Sequence, residues 1–451
     1  MNLATRMKPI KLSPTQLLVT GFAVIIFIGT ILLNLPISTS DGQSIGIVNA
    51  LFTATSAVCV TGLVVVDTGT RLSFFGQVVV ISLIQAGGLG FMTMATMIFL
   101  LMGKRITLRE RLVIQEALNQ FTLEGVVRLT RNILIVTLLI EGAGASLLAI
   151  RFIPLYGWRT GLYYSVFHSI SAFCNAGFDL MGNYISLTGF TGDILFNFTI
   201  MGLIIAGGLG FSVILDIYSH PKHFRRWSLH SKLVVLMSGA LILLGFLFIL
   251  AVEFNNPNTL GLRSLQEKLL GALFQSVTTR TAGFNSIDIA GLTNASKFMM
   301  IILMFIGASP ASTGGGIKTT TFSMILLMAY SMIKGREDNV IFGRHIPHTI
   351  AIRALTITLI SLTTLIVITM VLSLVEFVPF LDIMFQTASA LGTVGLAGMD
   401  TGGMQDISKI LLSLTMFMGR VGPLTLTMAF ASRQSQNKNT IKYPEERIMV
   451  G

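Results

Sequence analysis

Long apolar runs separated by short polar stretches set the pattern of this chain. Eight runs are long enough to span a bilayer, at about 14–36, 74–102, 131–153, 191–218, 231–254, 297–333, 353–378 and 408–431. A helix needs about 20 apolar residues to cross the hydrocarbon core. The sixth run is overlong and interrupted. Four shorter apolar stretches lie between them: Ile47–Val58, Leu162–Phe173, Lys268–Thr278 and Leu381–Ala390. They are too short to span and too apolar for exposed loops, which predicts re-entrant helices. The expected fold class is an all-α polytopic membrane protein.

Each short stretch runs into a glycine-centred segment. The four read Cys59-Val60-Thr61-Gly62-Leu63, Cys174-Asn175-Ala176-Gly177-Phe178, Thr279-Arg280-Thr281-Ala282-Gly283-Phe284 and Gly392-Thr393-Val394-Gly395-Leu396. Their glycines are 115, 106 and 112 residues apart. The following runs also match: Ala86-Gly87-Gly88-Leu89-Gly90-Phe91 recurs as Ala206-Gly207-Gly208-Leu209-Gly210-Phe211. The unit is therefore span, pore helix, filter, span, in four tandem copies. An inverted-repeat transporter has halves of opposite sense, whereas every unit here keeps one order and one expected orientation.

One glycine per repeat suits a pseudo-four-fold pore lined by backbone carbonyls. Glycine lets a strand aim its carbonyls at an axis without a side-chain clash. Rings of such carbonyls replace the hydration shell of K⁺. The expected ion-facing carbonyls precede Gly62, Gly177, Gly283 and Gly395: Val60 and Thr61, Asn175 and Ala176, Thr281 and Ala282, Thr393 and Val394. Their side chains differ among repeats, as they can where the backbone coordinates. Ordinary turns would not each follow an apolar helix. Arg280 breaks the pattern. It is expected to point away from the axis and pair with Asp288, Glu267 or Glu253.

The sixth run contains Gly307-Ala308-Ser309-Pro310-Ala311-Ser312-Thr313-Gly314-Gly315-Gly316-Ile317-Lys318. Three successive glycines and a proline do not hold a regular helix. Non-helical backbone at membrane depth belongs inside protein or against water. A gate under the filter is expected here, built from Gly307, Ser309, Pro310, Ser312, Thr313, Gly314, Gly315, Gly316 and Lys318. Arg420 lies about 12 residues from either end of the last run, or about 18 Å at 1.5 Å per residue. Carbonyls of the broken segment are its expected partners. A phosphate-binding loop is excluded, because Gly316-Ile317-Lys318-Thr319 lacks the Gly-Lys-Thr order.

Composition agrees. The chain is 53% hydrophobic and 11% charged, against about 25% charged in soluble domains. The net charge of +11 suggests nucleic acid until its distribution is read. Place both termini and the loops after spans two, four and six in the cytoplasm, and those segments, with Arg131, Lys232 and Arg353 at the adjoining span edges, hold 21 of the 31 Lys and Arg residues. This is a topology signal, with no nucleic-acid partner. It puts the glycine segments at the outer face. The basic, apolar N-terminus reads as an uncleaved first span.

Two cysteines exclude a disulfide framework. The histidines form no metal set and no nucleophile–base constellation is visible, so no enzyme is expected. The expected organisation is a cytosolic N-terminus (1–13), repeat 1 (14–102), a cytosolic loop (103–130), repeat 2 (131–218) and a loop (219–230). Repeat 3 (231–333, gating loop 307–318), a loop (334–352), repeat 4 (353–431) and a cytosolic tail (432–451) follow. The stretch Lys104–Arg131 carries apolar residues at helical spacing, as an amphipathic surface or docking helix does.

These four filter segments in register, with the broken span in repeat three, resemble the Trk/Ktr/HKT superfamily of K⁺ transporters over residues 14–431. The nearest likeness is to the membrane subunits of bacterial Ktr potassium-uptake systems. The resemblance implies K⁺ uptake, often with Na⁺ as coupling ion, by a homodimer in the bacterial cell membrane. It also implies a cytosolic ring of nucleotide-binding regulatory subunits. No strand followed by G-x-G-x-x-G occurs here and the cytosolic loops are short, so a separate partner is expected to supply that ring. In the superfamily a serine in the first filter accompanies Na⁺ permeation; this chain has Gly62. The rivals are a Na⁺-permeable relative, an inverted-repeat transporter of a small solute, and a non-transporting receptor.

Overall fold

The computed structural model describes residues 13–90, 126–221, 223–336 and 338–422, with positions 93, 112 and 425. Most of the expected docking stretch 104–131, the far ends of spans two and eight, and both chain ends lie outside the described residues.

Among the described residues, four helices are long and apolar enough to cross a membrane. They lie in α1 (Pro14–Asn34), α4 (Val126–Tyr156), α8 (Leu229–Glu253) and α12 (His348–Val375). Each leads into a short helix: α2 (Ile47–Val58), α5 (Trp158–Phe173), α9 (Leu265–Thr278) and α13 (Phe380–Gly392). After a glycine segment comes a second helix: α3 (Phe74–Leu89), α6 (Ile194–Leu209), α10 (Asn294–Phe305) and α14 (Asp406–Val421). Side chains set several starts. Ser73, Asp193 and Thr293 each accept a backbone N–H of the first turn of α3, α6 and α10. Ser264 and Glu267 form a reciprocal capping box at α9.

The second helices depart from expectation. Only span six was expected to break. Instead α6 ends at Gly210 and turns by 98° into α7 (Phe211–Ser219). Likewise α3 stops at Gly90 and α14 at Gly422. These three glycines have φ of 80°, 93° and 92°, a conformation L-residues avoid. The Gly-rich motifs, read only as marks of repetition, were also stop signals. The broken third helix resumes as α11 (Thr319–Ile333).

The chain also has a small hairpin, which the all-α expectation missed. Strands β1 (Asn339–Ile341) and β2 (Arg344–Ile346) pair antiparallel, with Val340 opposite His345. Phe342 and Gly343 turn it with φ of 50° and 71°, the positive-φ pair of a tight hairpin.

The inside of the molecule holds the glycine segments and their short helices. Phe52, Phe173, Phe178, Phe274, Phe284 and Phe385 are wholly buried around them. The long helices instead show apolar residues outward, such as Phe27, Leu138, Leu244 and Leu374. Exposed apolar surface on this scale suits a lipid environment.

Candidate ion-conduction site

The four glycine segments meet. A Cβ placed on Gly62 would overlap the carbonyl oxygen of Ala176, and one on Gly395 would overlap that of Thr61. At Gly177 it would lie 2.7 Å from the Ala282 oxygen, and at Gly283 2.5 Å from the Val394 oxygen. The order 62 to 177 to 283 to 395 to 62 closes a ring. In every case the carbonyl belongs to the residue just before the next glycine. All four glycines have positive φ, between 69° and 98°. No side chain fits there.

The ring is held from behind by hydroxyls of the short helices. Gly62 N–H donates to Ser56 Oγ at 3.1 Å and Gly395 N–H to Ser389 Oγ at 3.0 Å. Ser171 Oγ donates to Phe178 O at 2.7 Å, and Thr278 Oγ1 to Phe284 O at 2.5 Å. Backbone N–H groups of Thr61, Ala176, Ala282 and Val394 also donate backward into the helices. Satisfying the N–H side from behind leaves the carbonyl side to face across the ring. Sequence reasoning missed these hydroxyls. Ser56, Ser171 and Ser389 each stand six residues before their glycine, which was a readable signal.

The residue two before each glycine is left-handed in all four segments: Val60 (57°), Asn175 (59°), Thr281 (69°) and Thr393 (50°). For β-branched residues this costs about 1–2 kcal/mol each. Such strain persists where the surroundings over-determine it. All four residues are wholly buried.

Beneath the ring lies the broken segment. Gly315 N–H donates to Thr393 Oγ1 at 3.0 Å, and a Cβ on Gly314 would overlap the Thr281 hydroxyl. The Asn175 amide and the Thr281 hydroxyl are hydrogen-bonded at 3.2 Å. The segment is pinned to α6 by Ser309 N–H on Gly208 O (3.1 Å) and Thr313 N–H on Gly207 O (3.3 Å). Thr313 Oγ1 donates to Phe173 O at 3.3 Å, and Ser312 Oγ to Ser309 O at 2.6 Å. Pro310 and Gly316 sit partly buried at its two bends, Gly316 with φ of 69°.

Three cations bind carbonyls of this segment. Lys318 Nζ donates to Gly314 O at 2.7 Å. Arg420 donates to Thr313 O, to Gly87 O and, at 3.2 Å, to Gly88 O. Arg280 donates to Gly307 O at 3.3 Å. The expected carboxylate partners of Arg280 are therefore corrected. Glu267 is taken by Ser264 in its capping box, and Glu253 by Asn256, Thr259 and Thr293. Asp288 lines an outer cavity instead. Intramembrane cations of this kind normally find carbonyls or carboxylates; here they find carbonyls.

Above the ring opens a cavity of about 330 Å³ whose floor includes all four glycines. Asp67, Asp179, Asp288 and Asp400 line it. Asp67 is fixed by the N–H groups of Thr70 and Tyr184, both at 2.8 Å. Burial pushes the Asp179 carboxyl up to about 7, with the Asp67 charge adding to the rise. The arrangement can draw cations to the ring.

Comparison with known proteins follows the same line. The family model for TrkH, cation transport protein, matches residues 8–441. The chain is 43% identical to the Ktr system potassium uptake protein B of Bacillus subtilis, covering 98% of both chains. It is 40% identical to the potassium/sodium uptake protein NtpJ of Enterococcus hirae, again over 98% of both. Its fold is similar to the crystal structure of the potassium transporter TrkH from Vibrio parahaemolyticus. There the TM-score is 0.69 at 18% identity, covering 95% of this chain and 86% of that one.

Proposed function

This chain belongs to the TrkH family of cation transport proteins, a family of transporters and not of enzymes, and on that premise we propose that it takes up K⁺ selectively through a pseudo-four-fold pore. The carrying observation is the closed ring, in which each filter glycine faces the carbonyl of the residue before the next. A pore of carbonyls dehydrates an ion whose size fits it. The carbonyls of Thr61, Ala176, Ala282 and Val394, with those of Val60, Asn175, Thr281 and Thr393 below, form the K⁺ path. A chain with Gly at all four ring positions favours K⁺ over Na⁺.

The segment 307–318 is the gate. It lies under the filter and is latched by Arg420 and Lys318 through its own carbonyls. Gly307, Ser309, Pro310, Ser312, Thr313, Gly314, Gly315 and Gly316 give it a path without helical hydrogen bonding. The protein works as a homodimer in the bacterial cell membrane, both termini cytoplasmic. A separate ring of nucleotide-binding subunits moves the gate from the cytosolic side. Na⁺ acts as coupling ion; the likeness to a potassium/sodium uptake protein of Enterococcus hirae supports this part.

Uptake of K⁺ by the purified chain in liposomes, with and without Na⁺, tests the proposal. Saturable K⁺ uptake that prefers K⁺ over Na⁺ and is faster with Na⁺ present is expected. Equal passage of the two ions would replace it with a Na⁺-permeable relative of the same fold.

A further inference from the structure

The fourth residue of each second helix is polar: Gln77 in α3, Asn197 in α6, Lys297 in α10 and Lys409 in α14. Three of them are bonded to the short helix of the following repeat. Tyr163 OH of α5 donates to Gln77 Oε1 at 3.1 Å. Lys297 Nζ donates to Asp382 Oδ1 of α13 at 2.8 Å. Lys409 Nζ donates to Asn49 Oδ1 of α2 at 3.1 Å, closing the circle across 360 residues. Asp382 and Asn49 occupy the same place, the third residue of their helix and thirteen before the filter glycine. Asn197 is the exception. It turns back onto Phe190 O, Thr191 O and Asp193 O of its own loop.

A lysine is the wrong residue for this place on local grounds. The N-terminus of a helix carries partial positive charge and disfavours a cation. Lys297 is only 7% exposed, and a buried ammonium is costly unless paired. Asp382 supplies the pair, and it stands in the first turn of α13, where a carboxylate is favoured. The cross-link is thus explained by what it joins, not by either helix alone. From Asp382, α13 runs directly into Thr393, Val394 and Gly395. The seam between repeats two and three has no link from this position; there Gln266 of α9 donates to Gly192 O at 2.9 Å.

We propose that the Lys297–Asp382 pair is a positioning device for ion selectivity: it fixes the outer end of α13 against α10 and so sets the distance between the Val394 carbonyl and Gly283. Lys409 on Asn49 does the same between repeats four and one. Neither lysine touches the ion. A pore helix freed at its outer end tilts, the ring widens unevenly, and the smaller loss is in conduction, the larger in discrimination. The inference rests on the K⁺ reading above.

The test measures K⁺ and Na⁺ flux in liposomes for wild type, Lys297→Met, Asp382→Asn and the exchanged pair K297D/D382K. Wild type must first prefer K⁺; if it does not, the proposed function fails and not this inference. Given that preference, both single variants are expected to lose about tenfold in K⁺/Na⁺ ratio, one decade of differential affinity. The exchanged pair is expected to recover most of it, which a merely structural role would not require. Folded single variants with unchanged ratio would overturn the proposal. If Lys297→Met does not fold, Lys409→Met carries the same comparison, because its cross-repeat partner Asn49 is neutral and its other partner, Asp406 at 3.9 Å, is exposed to water. Failure of both to fold would reduce the links to structural struts and also overturn it.

Discussion

The hydroxyl of Thr393, in the fourth filter segment, accepts the backbone N–H of Gly315 in the broken helix of the third repeat, at 3.0 Å. Filter and broken segment are thereby in direct contact. Thr393 is left-handed, and this bond is among the constraints that hold it so. Thr393→Val removes the acceptor and leaves Gly315 N–H buried. A buried donor without a partner costs about 1–3 kcal/mol. The expected outcome is a looser segment and faster K⁺ flux, read in liposomes beside the thermal stability of the protein. Unchanged flux with lowered stability would make the contact purely structural.

Removing the latch should act in the same direction. Arg420 holds Thr313 O and the Gly87–Gly88 carbonyls together. Arg420→Gln, or deletion of Ala311–Gly316, is expected to raise K⁺ flux severalfold and lessen dependence on the cytosolic partner. Gates move more slowly than ions pass, so the gain appears in rate. Selectivity should survive, because the ring lies above. Folded variants that carry K⁺ no faster than wild type would place the gate elsewhere.

The glycines of the ring leave no room for substitution. A Cβ at Gly62 meets the Ala176 carbonyl, and φ of 91° is disfavoured for any L side chain. Gly62→Ser is expected to weaken K⁺ preference and admit Na⁺. Competition of K⁺ uptake by Na⁺ measures it. The helix hydroxyls behind the ring give a gentler series. Ser389→Ala unties Gly395 N–H and should shift selectivity in the same direction, by less than Gly62→Ser.

Much of this was legible in the sequence because it repeats. Four copies of a glycine after an apolar stretch located the ring segments and the short helices to within a few residues. What was not legible follows from geometry that no residue type announces. Val60 and Thr393 are among the least suited residues for a left-handed backbone, so propensity argued against the conformation they adopt. Arg280 was given carboxylate partners by proximity in sequence, but its guanidinium lies against the Gly307 carbonyl and those carboxylates serve caps and loops. The helix ends at Gly90 and Gly210 were spelled out in the Gly-rich motifs, yet a long apolar run masked them.

On the proposed K⁺ path, the outer cavity is expected to make K⁺ entry depend on pH. Burial raises the Asp179 carboxyl from 3.8 to about 7. Below that pH it is neutral, and above it the cavity gains a negative charge. K⁺ uptake at low external K⁺ should therefore rise as external pH goes from 6 to 8, and Asp179→Asn should flatten the profile. Stability runs the opposite way. The folded state holds this proton more tightly than the unfolded chain, so the contribution is complete below 3.8 and is lost as pH rises to about 7. A wild-type profile flat across that window, or one Asp179→Asn leaves intact, would remove Asp179 from the account.

The central claim is that the carbonyls of Thr61, Ala176, Ala282 and Val394 coordinate the transported ion. Anomalous scattering from crystals grown in Rb⁺, a close mimic of K⁺, measures this directly. The account expects a peak on the axis between those four oxygens, reduced in Gly62→Ser crystals. A transport-competent protein whose Rb⁺ lies only outside the ring would contradict it.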